Sequence, residues 1–478
     1  MAQTGAVDDM PSPPTSLGNP SAHRLPPELL AEIFGMCSSP AGEDSTYGGL
    51  SDKLTPEQEV ERLAKAYLLQ LSQVCSVWHE VAMGTPKLWS TIVVDTTLWY
   101  SARTPEQKLV DLVASSLERG RSHPLVIEVA LDDDYAYVMA LLSQHAPRWR
   151  NVYIWHSLPS FPWMAAAKGN LPLLESLELS HQNDEWTEQD ILAVAPRLKT
   201  FVFSGWAAKT PAVPWQQLRY FIYTNIQEND LVDTLALLQR LGPRARCKLS
   251  VDVVDLVHPI DLPPIVSDIS GLSITFTVNF VHQDQIDVVG AVLESLTLPC
   301  LTMLELVNQS DEPPISWHQQ HFLSFAARSS LHATLTALEI CALIEDVELA
   351  ACLAFLPLLE HLTVSDCQDE AHAVLTDTLL SRLVRSSGLV PRLNFFCMTS
   401  LLQFSDAVYW AFVDSRLTSD PASLVFEIHT YWLPARTRAL SEEFLARGYE
   451  LEARRELVFT AAPDPDYNAQ SYLPFFLS

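Results

Sequence analysis

From about residue 125 onward, apolar positions recur in short bursts of the form L-x-x-L-x-L, with other apolar residues substituting. The bursts are Trp149-Val152-Ile154, Leu174-Leu177-Leu179, Leu198-Phe201-Phe203, Leu218-Phe221-Tyr223, Leu301-Leu304-Leu306, Leu335-Leu338-Ile340, Leu359-Leu362-Val364 and Leu393-Phe396-Met398. Alternation inside a burst predicts a strand, with the last two apolar residues facing a core and the residue between them facing away. First positions follow one another at steps of 25, 24, 20, 83, 34, 24 and 34 residues. Steps of this size are the spacing of a leucine-rich-repeat-like array. The long step has room for about three repeats, with weak copies near Leu249 and Leu272.

Proline precedes many bursts, as in Pro147-Arg-Trp, Pro172-Leu-Leu, Pro196-Arg-Leu, Pro357-Leu-Leu and Pro391-Arg-Leu. It cannot donate a helical hydrogen bond, so it ends the preceding segment and opens the strand. Helix-like stretches fall between strands at 188–195, 230–241, 286–293, 317–327 and 347–355. A helix near 405–416, a strand near 423–430, a helix near 437–447 and a strand near 449–459 are expected to complete the array. One strand–helix unit cannot bury its own apolar face, whereas stacked units share a continuous core. Residues 125–460 therefore predict an α/β solenoid, an irregular array of alternating strands and helices. An ordinary α/β domain with leucine-rich strands is the alternative. Of the Asn or Cys that a strict repeat places after its last apolar position, only Cys367 is present.

The N-terminal part has a different pattern. Residues 1–20 are proline-rich and polar and predict a disordered tail. In Leu25-Pro-Pro-Glu-Leu-Leu-Ala-Glu-Ile-Phe34, the prolines suit a helix's first turn and Glu28 its positive end. Leu29, Leu30, Ile33 and Phe34 predict one apolar stripe. Leu71, Val74, Cys75, Trp78 and Ala82 then fall on the face of a second helix, stopped by Gly84 and Pro86. Two helices this short cannot build a stable core alone, so they need a partner.

These blocks resemble the F-box family, specifically the F-box-like proteins abundant in mushroom-forming fungi. The matching residues are L-P-P-E-L-L-A-E-I-F at 25–34, L-S-Q-V-C-S-V-W at 71–78 with Val81-Ala82, and T-P-K-L-W at 85–89. The resemblance places an F-box domain at 21–92, with an insert at 40–62 as a departure. A linker helix at 93–124, the array at 125–460 and a tail at 461–478 complete the expected organisation. It implies binding to the Skp adaptor, which links F-box proteins to a cullin scaffold in a ubiquitin ligase, and it implies no catalysis by the chain itself. Matched by position, Leu25, Pro26, Leu29, Ile33, Val74, Cys75, Trp78 and Trp89 are adaptor contacts or F-box core. Two alternatives remain: a scaffold that binds the adaptor outside any ligase, and an enzyme with a pocket in 125–460.

Charge narrows the partners. The 478 residues carry a formal net charge of −28, which repels phosphate backbones and anionic lipid, so neither nucleic acid nor membrane is an expected partner. Eight cysteines without a CxxC pair read as reduced, mostly buried thiols. The first ten residues show no basic–apolar leader pattern, so a cytoplasmic or nuclear protein is expected. No phosphate loop, dinucleotide fingerprint, nucleophile elbow or zinc helix occurs, and no cofactor is expected. His318 and His321 have a metal-compatible spacing but no obvious carboxylate partner.

On a solenoid, the residues between core positions would line an exposed concave face. These are Glu178, Val202, Ile222, Glu305, Glu339, Thr363 and Cys397. The three acids among them point to an unknown protein substrate with a basic segment. Trp155, Trp163, Trp186 and Trp206 are further candidate anchors.

Overall fold

The computed structural model describes residues 25–38, 68, 70–95, 106–131, 136–156, 162–181, 190–205, 212–227, 230–253, 261–278, 288–308, 317–366, 373–417, 425–432, 437 and 440–463. It falls into two compact units, Met1–Ala130 and Leu131–Ser478.

The first unit contains helices Pro27–Ser38, Ser76–Gly84 and Glu106–Arg119, a 3₁₀ turn Pro86–Trp89, and strands β1 (Thr91–Asp95) and β2 (Leu125–Leu131). The two strands pair in parallel, with Ile92 opposite Ile127 and Val94 opposite Val129. The insert at 40–62 lies outside the described residues.

The second unit is built on one parallel sheet. Its strands are β3 (Trp149–His156), β4 (Ser176–His181), β5 (Thr200–Gly205), β6 (Tyr220–Gln227), β7 (Arg246–Val253), β9 (Gly271–Val278), β11 (Met303–Asn308), β12 (Ala337–Cys341), β13 (His361–Ser365), β14 (Phe395–Ser400), β15 (Phe426–Trp432) and β16 (Leu457–Pro463). They lie side by side in chain order. Strands β8 (Ile265–Val266) and β10 (Leu296–Thr297) form a separate parallel pair. Strand order that follows the chain, with helical segments as the returns, is the ordering expected of a leucine-rich-repeat-like array. The 83-residue step is filled by β7 and β9, on the weak copies at Leu249 and Leu272.

Every apolar position of the eight bursts is buried. Two backbone features repeat with them. The first residue of a burst closes a tight turn, as in Leu198 N–H to Ala195 O at 3.1 Å, Leu218 to Trp215 at 3.2 Å and Leu301 to Leu298 at 3.2 Å. Just before the strands, N–H groups then donate from rung to rung: Glu175 to Arg150 O, Lys199 to Glu175 O, Arg219 to Lys199 O and Arg246 to Arg219 O, each at 2.8–2.9 Å. The same ladder continues through Thr302, Thr336, Glu360, Asn394 and Glu427. It satisfies backbone donors that would otherwise be buried unpaired.

The helical returns follow the sequence pattern at Leu231–Ala236, Val288–Ser295, Gln319–Arg328, Asp346–Ala354 and Asp406–Arg416. Two differ. Residues 190–193 form a turn rather than a helix. The last helix runs Glu442–Ala453, several residues past the expected end, and β16 starts correspondingly later. Gly448 sits where this helix packs on the last strand. A Cβ there would lie 2.3 Å from the Phe459 ring, so the missing side chain lets this helix lie directly on β16. Gly448→Ala is expected to destabilise the C-terminal repeat by about 1–3 kcal/mol, read as an earlier thermal transition, although alanine has the better helix propensity.

Candidate protein-docking site

The two N-terminal helices sort their apolar residues into two sets. Leu30 and Phe34 point inward and join Leu68, Val81, Ala82, Leu88 and Trp89 in a small core, with Ala31, Leu71, Trp78 and Met83 packed against it. The Phe34 and Trp78 rings meet at 5.1 Å between centroids, tilted by 60°. Trp89 donates its Nε1–H to Ala82 O at 2.7 Å, and the Arg119 guanidinium lies 4.5 Å over its ring. The second set faces water: Leu29 is 46% exposed, Ile33 41%, Met36 76% and Val74 60%, with Leu25 and Val77 similar to Ile33. Leu29, Ile33 and Met36 are spaced i, i+4, i+7, so they form a stripe along one side of the first helix.

The single stripe expected from Leu29, Leu30, Ile33 and Phe34 is thus two stripes with opposite destinations. The expected helical face from Leu71 to Ala82 is also divided. The chain leaves the helix at Gln73–Cys75 and restarts at Ser76, with Cys75 extended (φ −162°, ψ 171°) and its Sγ accepting from Trp78 N–H at 3.5 Å. Cys75 serves as the N-cap, and the break turns Val74 out to solvent. Of the eight residues matched by resemblance, Leu25, Pro26, Leu29, Ile33 and Val74 are exposed, Cys75 and Trp78 are half-buried, and Trp89 belongs to the core.

In the second unit, strand register brings all seven predicted inner-face residues into one row. Glu178, Val202, Ile222, Lys248, Ser273, Glu305, Glu339, Thr363, Cys397 and His429 are consecutive neighbours across the sheet. The row is not the open face expected. Val202, Ile222, Glu305, Glu339, Thr363 and Cys397 are all buried, and Glu178 is half-buried. Parallel strands lie only ~4.8 Å apart, so each residue is shielded by a neighbour on either side. Glu305 and Glu339 take part in further interactions, while Ser273 Oγ and Thr363 Oγ1 have no hydrogen-bond partner among the described residues. Trp155 is partly exposed on β3, whereas Trp186 and Trp206 lie outside the described residues, as does the Trp163 side chain.

Cys397 is the row's one thiol beside a histidine, His429, whose Nε2 meets Glu427 Oε1 at 2.7 Å. The grouping resembles a nucleophile with its base, but the thiol is in the wrong state. Burial, with the charges of Glu339 and Glu427 adding to it, pushes the Cys397 thiol up and keeps it protonated. His318 and His321 lie edge to face at 5.7 Å, and His321 Nδ1 is 2.7 Å from Glu294 Oε1, a carboxylate the sequence had not supplied. No group of three or more metal-ligating side chains occurs among the described residues. No helix among them is long and apolar enough to cross a membrane.

Asp366 ties one repeat to the next. Its buried carboxylate accepts from Val374 N–H (2.7 Å), Leu375 N–H (3.1 Å), Leu401 N–H (2.9 Å) and Ser400 Oγ (3.1 Å). Cys367 lies outside the described residues. Burial raises the Asp366 pKa against the pull of these donors. A raised value means the folded chain keeps a proton that the unfolded chain releases above about pH 4. Its contribution to stability therefore falls as pH rises from about 4 through the folded pKa, and is constant beyond it. Asp366→Asn should flatten that slope relative to wild type. It should also cost about 1–3 kcal/mol at neutral pH, because the new NH₂ faces the Leu401 donor. Urea titrations at several pH values would check both.

Residues 22–95 match the F-box-like family. Among curated proteins, none matches the chain. A solved structure titled "Crystal structure of TLR13-ssRNA13 complex" is similar over 68% of this chain and 45% of that one, at 16% identity and a TM-score of 0.38. The present chain thus spans less than half of that protein.

Proposed function

We propose that this chain is the substrate-receptor subunit of a Skp–cullin–F-box ubiquitin ligase. The observation that carries the reading is the exposed apolar stripe of Leu29, Ile33 and Met36, with Leu25, Val74 and Val77 also exposed on the same F-box-like segment. Contiguous exposed apolar side chains on a helix pair with so small a core mark a protein-docking surface. The partner read from the family match is the Skp adaptor, contacted by Leu25, Pro26, Leu29, Ile33 and Val74, while Trp89 and Trp78 support the helices from behind.

The C-terminal unit, read as a leucine-rich-repeat-like α/β solenoid, would hold the target protein. The mechanism is proximity: a target held near a charged conjugating enzyme reacts at a raised effective concentration, with no catalytic group supplied by the receptor. Co-purification with the Skp adaptor and cullin tests the reading. Capture of both supports it, capture of the adaptor alone makes the chain a scaffold, and capture of neither by the folded chain overturns it.

A further inference from the structure

The array is divided by charge. Residues 251–380 contain 19 Asp and Glu and a single basic residue, Arg328. Residues 145–250 contain eleven Lys and Arg against nine Asp and Glu, in a chain of net charge −28. Much of this positive charge gathers at the ends where strands β3 to β7 begin. Arg150, Arg197, Lys199, Arg219, Arg240 and Arg244 are all exposed there. The backbone ladder sets Arg150, Glu175, Lys199 and Arg219 on successive rungs. The nearby acids Glu175 and Asp190 are engaged, by Arg150 at 3.2 Å and Lys168 at 2.6 Å. Arg197, Lys199, Arg219, Arg240 and Arg244 form no ion pair among the described residues.

A hollow of 410 Å³ opens at the same edge, lined by Pro214, Trp215, Gln216, Gln217 and Arg240. It is tied to the rungs. Gln217 Nε2 donates to Ala195 O at 2.6 Å and Leu198 O at 3.0 Å, and Gln216 Nε2 donates to Arg240 O at 2.8 Å. Gly242 permits this close approach, since a Cβ there would fall 2.5 Å from Gln216 O. Trp215 is held edge-on against Phe221, at 5.1 Å between centroids. The edge therefore offers a row of exposed cations, five of them without an ion pair among the described residues, beside an apolar hollow.

We infer that this edge binds a short acidic segment of a partner protein, with one apolar side chain seated in the hollow. From β3 to β7 is four strand spacings, about 19 Å, which an extended chain covers in about six residues. A longer polyanion would run into the acidic stretch that follows, so a nucleic acid strand is disfavoured. The inference goes beyond the receptor reading and does not depend on what residues 25–95 bind. The basic partner expected from Glu178, Glu305 and Glu339 rested on an open row of acids, of which Glu305 and Glu339 are buried and Glu178 half-buried.

The test uses the full chain and an array of fluorescein-labelled hexapeptides. Each carries Asp or Glu at all positions but one, with Phe, Trp or Leu scanned through the remaining place. Anisotropy at about 50 mM salt should find binders whose affinity falls as salt is raised. Arg219→Glu/Arg240→Glu should weaken the best of them at least tenfold, whereas Arg392→Glu, exposed elsewhere, should not. Lys199→Glu/Arg219→Glu serves if the first pair lowers the thermal midpoint. The inference is overturned if no hexapeptide binds, if the edge variants bind as wild type, or if a six-nucleotide thymidine strand binds more tightly than every peptide. Loss of adaptor capture in the experiment above would leave this result untouched.

Discussion

Leu29→Asp/Ile33→Asp should abolish capture of the Skp adaptor while leaving the chain folded. Both side chains are exposed, at 46% and 41%, so charging the two together should cost at most about 1 kcal/mol of folding free energy. In a complex they would be desolvated, and each true anchor is worth on the order of 2 kcal/mol or more. Two anchors correspond to roughly a thousandfold in affinity. Phe34→Ala is the matched opposite. Phe34 is fully buried against Trp78 at the centre of a small core, so its truncation should cost about 3–5 kcal/mol and unfold the helix pair. Pull-down combined with circular dichroism separates the two outcomes. The docking surface would be wrong if the aspartate pair still captured the adaptor. It would also be wrong if that pair lost binding only together with helicity.

Arg416→Ala should be the most damaging single change in the C-terminal unit, at about 3–5 kcal/mol. Arg416 is buried at the end of helix Asp406–Arg416, and its guanidinium has no carboxylate contact among the described residues. Instead it donates to backbone carbonyls: Nε to Leu383 O at 3.1 Å, Nη1 to Val390 O at 2.9 Å and Nη2 to Leu389 O at 3.1 Å, with Nη2 also on Leu383 O. These carbonyls end one helical return and shape the turn into β14. Val390 sits there at φ 42°, a left-handed conformation costly for a β-branched residue. Burial, with the Arg385 charge adding to it, lowers the Arg416 pKa to about 10, so the group is still cationic at neutral pH. Alanine would remove the donors to Leu383 O and Leu389 O, leave Val390 O only the Leu393 N–H at 3.1 Å, and release the strained turn. Lysine, lacking the planar fork, should recover only part of the loss. Hydrogen exchange across residues 383–390 would report the opening directly. Arg328 does the same work a few repeats earlier, donating to Leu293 O at 2.7 Å and Glu294 O at 3.0 Å, so the carbonyl-capping arginine is a recurring device of this array.

The sequence by itself determined the repeat. The apolar positions of the bursts, from Trp149 to Met398, are all buried, because the alternation of apolar residues along a strand is a local mark that the sequence carries. Most helical returns were legible for the same reason. It also determined that the N-terminal helices match an F-box-like segment, since that signal lies in residue identity and order.

What tertiary structure alone decided is which side of each apolar residue meets water. Leu29 and Leu30 are adjacent in sequence and alike in chemistry, yet one is exposed and the other buried. A helical wheel cannot separate them until the second helix, broken at Gln73–Cys75, shows where the core lies. The inner row was likewise placed in one line by its spacing. Its burial comes from neighbours contributed by strands 20 to 34 residues away, as between Glu305 and Glu339. The basic edge was invisible for the converse reason. Arg150, Lys199 and Arg219 are scattered singly along an acidic chain, and only the parallel sheet, advancing one rung per repeat, sets them side by side. Periodicity within a segment is local and survives in the sequence, whereas lateral adjacency between repeats exists only once the loops have closed.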